Sequence, residues 1–331
     1  MTKKSIEQIL SILREHGKRG FEYAQNFILR EKRSLSPIYK SLMYFVEQMR
    51  SKTSVFPALI SLSCHAVGGN PDVTPPISAA IILLTGAADV HDDLIDKSKV
   101  KYSKQTIYGK FGEDIALLVG DALLLEGLTL LFQECSKLSQ SQSGAILNSV
   151  KQALLEIGSA ETLEIKMRGR YDISPEEYYG IVKMKAAFAE ACTRIGAILG
   201  NGSSREIKTL AYYGRIFGIL TTLRDDFIDV YELEELQNRL RNECIPLPII
   251  CALQNKELKE RLLFKLEKLK HTGSNADVYE IAKLVMNCRE VRELKRKMKL
   301  LALTALQELR FLRGPATSTL KVLLYSTMEG L

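Results

Sequence analysis

Runs of alternating polar and apolar residues bounded by turn signals are nearly absent from this sequence, and with them goes the case for a β-sheet core. No low-complexity tract argues for disorder. The six cysteines (Cys64, Cys135, Cys192, Cys244, Cys251 and Cys288) contain no CxxC pair, which speaks against a zinc site or a disulfide frame and for reduced thiols buried in a core. Dense basic runs interleaved with aromatics are missing too, so the formal charge of +7 does not point to nucleic acid. A small anionic ligand is enough to use it. The first twenty residues, MTKKSIEQILSILREHGKRG, mix charges and apolar residues at helical spacing and lack the unbroken apolar centre of a signal peptide. No stretch is read as reaching the roughly 18 apolar residues that span a bilayer, so a cytoplasmic chain without stable membrane insertion is expected.

What is present is helical periodicity. Apolar residues recur at three- and four-residue intervals almost throughout, and at 46% of the chain against 26% charged residues they are enough for a large core. Turn signals at REKRSLSP, VGGNPDVTPP, KLSQSQSG, RGRYDISPEE, GNGSS, NECIPLP and KHTGSNAD divide the chain into about ten or more helices. Ser174, Pro175 and Glu177 read as an N-cap, an N1 proline and a capping-box glutamate, and Ser203 or Ser204 with Glu206 reads the same way. No break is long enough for a domain linker, so residues 1–331 are expected to form one all-α domain.

Two of these helices carry more carboxylates than a buried helix should. ISAAIILLTGAADVHDDLID holds Asp89, Asp92, Asp93 and Asp96, and YYGRIFGILTTLRDDFIDVYE holds Asp225, Asp226 and Asp229. Both contain Asp-Asp-x-x-Asp, which on an α-helix sets Asp92 over Asp96 and Asp225 over Asp229, one turn apart on one face. A solvated face is the ordinary meaning of such a motif. Here Ile81, Ile82, Leu83 and Leu84 in one helix, and Ile219, Leu220 and Phe227 in the other, wrap most of the surface in apolar side chains. Like charges on a mostly buried helix lose hydration and repel unless cations neutralise them. Carboxylate oxygens suit Mg²⁺, which favours a few of them together with water and phosphate oxygens. Zinc or iron fits less well, because only His91 is near and no Glu-x-x-His pair exists. His91 is read as a packing or supporting residue.

At this point the sequence resembles a known family. HDDLID and LRDDFID, with GGNPDVTPPISAAIILLTGAADVHDDLID, TIYGKFGEDIALLVGDALL and AETLEIKMRGRYDISPEEYYGIVKMKAAFAEACTRIGAILG around them, are similar to the aspartate-rich motifs and connecting segments of the all-trans isoprenyl (polyprenyl) diphosphate synthases. The likeness covers nearly the whole chain. It implies an isoprenoid synthase-type helical bundle around a central cavity, usually a homodimer. It implies two or three Mg²⁺ ions on Asp92, Asp93, Asp96, Asp225 and Asp229, with Asp226 beside them, which draw off the diphosphate of an allylic substrate and leave a carbocation. It makes Lys185 the family's lysine and a group that binds and stabilises the departing diphosphate; Arg224 is a further candidate for that work.

The sequence departs from the family in one subsite. Where a Gly-Lys-x-x-Arg-Pro segment is usual, SKTSVFP places Thr53, Ser54 and Phe56 at the charged positions. Thr85 stands for a histidine and Thr222 for a glutamine. Lys101 and Tyr102 occupy the place of an arginine pair, so one charge is retained and one lost. Each charge-assisted phosphate contact contributes roughly 1.5–3 kcal/mol, so these changes remove most of the attraction for isopentenyl diphosphate. Three readings therefore stand: a divergent prenyltransferase, working alone or with a related partner subunit; a class I terpene synthase-like enzyme that needs no isopentenyl diphosphate; and a non-catalytic subunit that binds prenyl diphosphate and regulates a partner. Ala87 and Ala88, with Gly86 beyond, replace bulky residues that cap the family's product pocket, so a C15 to C20 or longer allylic chain is expected.

Overall fold

The computed structural model describes residues 3–30, 38–51, 55–101 and 104–328. The described chain is helical nearly throughout, as the periodicity requires. Its helices are α1 (Lys3–Arg30), α2 (Tyr39–Ser51), α3 (Val55–Ala66), α4 (Pro75–Ile95), α5 (Ile107–Phe111), α6 (Glu113–Cys135), α7 (Gln140–Met167) and α8 (Pro175–Lys185). They continue as α9 (Ala187–Leu199), α10 (Ser204–Asp229), α11 (Leu233–Asn242), α12 (Leu247–Ala252), α13 (Lys256–Thr272), α14 (Asn275–Met286), α15 (Arg289–Glu308) and α16 (Thr317–Ser326). One antiparallel pair of two-residue strands, β1 (Val100–Lys101) and β2 (Lys104–Gln105), interrupts them between α4 and α5.

Residue contacts group the chain into two compact units. The first comprises Met1–Gln152, Phe188–Gly214 and Leu309–Leu323, the second Ala153–Ala187, Arg215–Glu308 and Leu324–Leu331. The divisions fall inside α7, α10 and α16, one residue into α9 and at the end of α15.

In the first unit α4 is the central helix. Ile77, Ala79, Ala80, Ile81, Leu83 and Leu84 are all buried, each large side chain contributing about 1.5–3 kcal/mol of apolar transfer. Its closest neighbour is α6, and small residues make the approach possible: a Cβ at Gly127 would lie 2.9 Å from the Leu84 side chain, and one at Gly120 would collide with the His91 ring. The helix ends through local geometry. Lys97 adopts a left-handed φ of 54°, and the Ser98 N–H reaches back 2.9 Å to the Asp93 carbonyl.

One expectation is narrowed in this unit. Helix α6 is long and apolar enough to cross a membrane by length and composition, although Asp121 and Glu126 interrupt its sequence. Its other acids, Glu113, Asp114 and Glu134, sit at the ends, and the leucine-rich stretch between them averages as strongly apolar. One face packs on α4, while Leu117, Leu118, Leu125 and Phe132 remain exposed.

The second unit is built around α10, α12 and α15, with Leu223, Leu236, Ile249, Leu266, Ile281, Val291 and Met298 in its core. Helix α8 starts as its sequence says: Ser174 accepts from the Glu177 N–H, and Glu177 reaches back to the Ser174 N–H at 2.9 Å. Ser203 and Glu206 form the equivalent pair before α10 in the first unit. All six cysteines are buried free thiols.

Candidate active site

The first stripe occupies the last two turns of α4. Asp89 is exposed, Asp92 half-buried and Asp93 buried, and Asp96 is the C-cap, its N–H bonded to the Asp92 carbonyl at 2.9 Å. The β1–β2 ladder then returns the chain so that Lys101 lies over the stripe, with Nζ 2.8 Å from Asp93 Oδ1 and 3.1 Å from Asp92 Oδ2. Thr106 fixes the far side of this loop: its hydroxyl donates to the Ser98 carbonyl at 2.8 Å and accepts from the Gly109 N–H at 2.9 Å. Burial pushes the Asp93 carboxyl up to about 6, with Lys101 opposing and Asp89 and Asp92 adding. Burial works against the Lys101 charge, but Asp92 and Asp93 outweigh it and raise its pKa. His91 packs on Gly120 with Nε2 3.3 Å from Asp121 Oδ1, a supporting position.

The second stripe, at the end of α10, is held differently. Asp226 has no exposed side-chain surface. It accepts from the Tyr178 hydroxyl at 3.1 Å, the Leu247 N–H at 3.2 Å and Arg239 Nη2 at 2.9 Å. Burial pushes its carboxyl up, and Arg239 and the Leu247 amide pull it back. Arg239 also grips Asp229 Oδ2, through Nε at 3.0 Å and Nη2 at 2.8 Å. Asp225 is reached by solvent but ringed by protein. The resulting desolvation, reinforced by Asp229 and opposed by Arg224 and Arg239, pushes its carboxyl up to about 6.

Lys185, at the last turn of α8, is fixed by two acids on α7. Its Nζ pairs with Glu164 and lies 3.5 Å from Glu161 Oε1. The α8–α9 break beside it lies against α10, where a Cβ on Gly218 would sit 2.8 Å from Ala186 Cα and Cβ. Arg239, Tyr178, Glu161 and Glu164 are therefore part of the site although the sequence reading passed over them. The one signal was spacing: Glu161 and Glu164 stand three apart in AETLEIK, and Arg239 sits between Leu236 and Leu240 on an amphipathic helix.

Geometry shows where three of the substituted side chains go. Thr85 Oγ1 donates to the Ile81 carbonyl at 2.9 Å, and Thr222 Oγ1 to the Gly218 carbonyl at 3.0 Å, so both hydroxyl protons return to their own helices. Phe56 stacks at 6.0 Å from Phe188 in a tilted aromatic pair. Thr53, Ser54 and Tyr102 lie outside the described residues. The floor expected from Gly86, Ala87 and Ala88 is tighter than the sequence suggests. The Phe45 ring fills the space beside Gly86, Ala87 is buried, and Ala88 keeps partial exposure.

Among the described residues no three His, Cys, Asp or Glu side chains converge to hold a metal by themselves. The donor set still suits Mg²⁺. The first stripe carries four carboxylates, two of them paired with Lys101, the second carries three beside Arg239 and Arg224, and all offer oxygen.

The sequence pattern of the polyprenyl synthetase family matches residues 38–285. The chain belongs to that family. A short chain isoprenyl diphosphate synthase of Methanothermobacter thermautotrophicus is 29% identical over 211 residues, which are 62% of this chain and 64% of that protein. This chain thus spans just under two thirds of that relative's length. Among solved structures, a geranylgeranyl pyrophosphate synthetase from Pyrococcus horikoshii superposes with a TM-score of 0.85 at 21% identity, covering 98% of this chain and 99% of that one. A geranylgeranyl pyrophosphate synthase from Corynebacterium glutamicum, complexed with isoprenyl diphosphate and magnesium, gives 0.82 at 17% identity over 96% and 99%. At these identities the likeness establishes the fold.

Proposed function

We propose that this polyprenyl synthetase family member is a Mg²⁺-dependent prenyltransferase that ionises an allylic prenyl diphosphate in isoprenoid biosynthesis. The observation that carries the reading is the survival of both aspartate stripes, with negative charge in excess of the resident cations. Asp92, Asp93, Asp96, Asp225 and Asp229 would hold Mg²⁺, which when bound supplies Lewis-acid charge neutralisation for the departing diphosphate. Lys185 places an ammonium group for the same diphosphate. Glu161 and Glu164 hold it in position so that little reorganisation accompanies charge development. Lys101, which pairs with Asp92 and Asp93, would pass to a phosphate oxygen when Mg²⁺ takes its place on them.

A second reading, terpene synthase-like ionisation without isopentenyl diphosphate, is favoured by a separate observation. The hydroxyl protons of Thr85 and Thr222 are engaged by their own helices, so neither position replaces the donor expected for a second diphosphate. The remaining alternative, a non-catalytic subunit, has no use for two intact stripes. The exposed α6 row Leu118, Leu125 and Phe132, spaced by sevens, supports assembly through this face with a second copy or a related synthase subunit.

One experiment separates these readings. Purified protein is incubated with Mg²⁺ and C10 to C20 allylic diphosphates, with and without isopentenyl diphosphate. Longer diphosphates establish prenyl transfer, and hydrocarbons or alcohols formed without isopentenyl diphosphate establish the terpene synthase-like reaction. Geranylgeranyl diphosphate binding should require Mg²⁺ and be abolished by Asp92→Ala or Asp225→Ala; metal-independent binding that survives both changes removes the proposal.

A further inference from the structure

Arg239 is a buried cation with a role beyond neutralisation. It stands on α11 between the buried Leu236 and Leu240, and its side chain is only 12% exposed. Two of its nitrogens reach carboxylates one helical turn apart: Nη2 bridges Asp226 Oδ1 and Asp229 Oδ2, and Nε adds a second bond to Asp229 Oδ2. Its Nη1 donates to the Cys244 carbonyl at 3.4 Å, and Glu243 lies 3.4 Å from Nε, so the guanidinium is fixed on every side.

The consequence for the carboxylates is unequal. Asp226 has both oxygens engaged, Oδ1 by Tyr178 and Arg239 and Oδ2 by the Leu247 amide. On Asp229 both arginine bonds fall on Oδ2. Asp225 stays on the solvent side of the helix.

We infer that Arg239 is a built-in counter-ion and positioning residue of the second stripe. It withdraws Asp226 from metal binding and leaves Asp225 and Oδ1 of Asp229 as the metal-facing oxygens. This rests on the proposed reading of the stripe as a Mg²⁺ site and specifies how that site is loaded. A fixed positive charge beside the carboxylates weakens the stripe's hold on a free divalent ion, and a bound diphosphate, bringing negative charge of its own, offsets it. The second stripe therefore holds a free metal ion weakly and holds one more tightly together with a diphosphate.

The test uses the full chain and Mn²⁺, whose binding electron paramagnetic resonance counts directly, without any diphosphate. Arg239→Gln should bind Mn²⁺ about tenfold tighter than the natural chain, since one positive charge has left the neighbourhood of a divalent ion. Arg239→Lys keeps the charge without the fork and should stay within about twofold. Asp226→Asn should keep the full number of bound ions, whereas Asp229→Asn should weaken one. Unchanged or weaker Mn²⁺ affinity in Arg239→Gln, or loss of an ion in Asp226→Asn, overturns the inference. Thermal melting checks that each variant is folded. If Arg239→Gln is not, the numbers of ions bound by Asp226→Asn and Asp229→Asn decide the inference. The parent reading is tested separately: Asp225→Asn that leaves Mn²⁺ binding intact removes the metal site from this stripe, whatever Arg239 does.

Discussion

The two aspartate stripes share a motif and differ in how their charge is balanced. On α4 the balancing cation is Lys101, delivered by a two-residue strand after the helix has ended, with 35% of its side chain exposed. On α10 it is Arg239, locked into the interior of its unit with a tyrosine and a backbone amide sharing the same carboxylate. A lysine on a hairpin can turn to water and release its partners. A buried arginine fork cannot, because its departure would strand Asp226 without exposed surface. The same sequence pattern therefore yields one exchangeable site and one that is partly structural.

The largest effect that tests this difference is on stability. Asp226→Ala should destabilise the protein by about 3–5 kcal/mol, because it strips the buried Tyr178 hydroxyl and Leu247 N–H of their acceptor and takes one of two carboxylates from the buried Arg239. Asp93→Ala should cost much less, about 1 kcal/mol, since Lys101 is partly open and reaches solvent. Urea unfolding of both variants measures the gap, and equal losses would mean that the stripes are balanced alike. Gly120→Val comes next at about 1–3 kcal/mol, because the added atoms meet the His91 ring at the α4–α6 contact. That variant should also disturb Mg²⁺-dependent ligand binding at the first stripe more than Gly218→Ala does, since Gly218 lies beside the Lys185 break in the second unit. Tyr178→Phe follows at about 1 kcal/mol, the loss of one hydrogen bond from a carboxylate that keeps two other donors.

The sequence was most legible where the cause is local. Helical periodicity, the Ser174–Glu177 and Ser203–Glu206 caps and the burial of six cysteines all follow from neighbours within one turn or from side-chain polarity. The aspartate stripes were legible for the same reason. Their counter-ions were not. Arg239 lies ten residues beyond Asp229 on another helix, and in sequence it looks like any basic residue on an amphipathic face. Glu161 and Glu164 meet Lys185 only because α7 and α8 pack together. The break at Ala186 has no proline or glycine to announce it; the close passage of Gly218 marks the spot in three dimensions. Strands of two residues are too short to show alternation, so nothing in the sequence announces the hairpin that delivers Lys101. In α6 the reverse happened: scattered acids hid a helix whose middle is apolar enough to span a membrane.

The smallest stability effect sharpens the comparison most. Lys101→Met removes the first stripe's cation while keeping an unbranched chain of similar reach over Asp92 and Asp93. The lost ion pair contributes about 0–1 kcal/mol at a half-open site, so melting should scarcely move. Metal binding should move, because Asp92 and Asp93 lose the ammonium group between them and the first stripe becomes a stronger site for free Mn²⁺. The lysine is also the cation proposed to pass to the diphosphate, so prenyl diphosphate affinity at saturating Mg²⁺ should fall by about tenfold, the value of one charge-assisted phosphate contact. Tighter metal with weaker diphosphate is the signature of a cation that changes partners during binding. Tighter metal with unchanged diphosphate would make Lys101 a spectator that merely occupies the stripe, and the two stripes would then differ in rigidity alone.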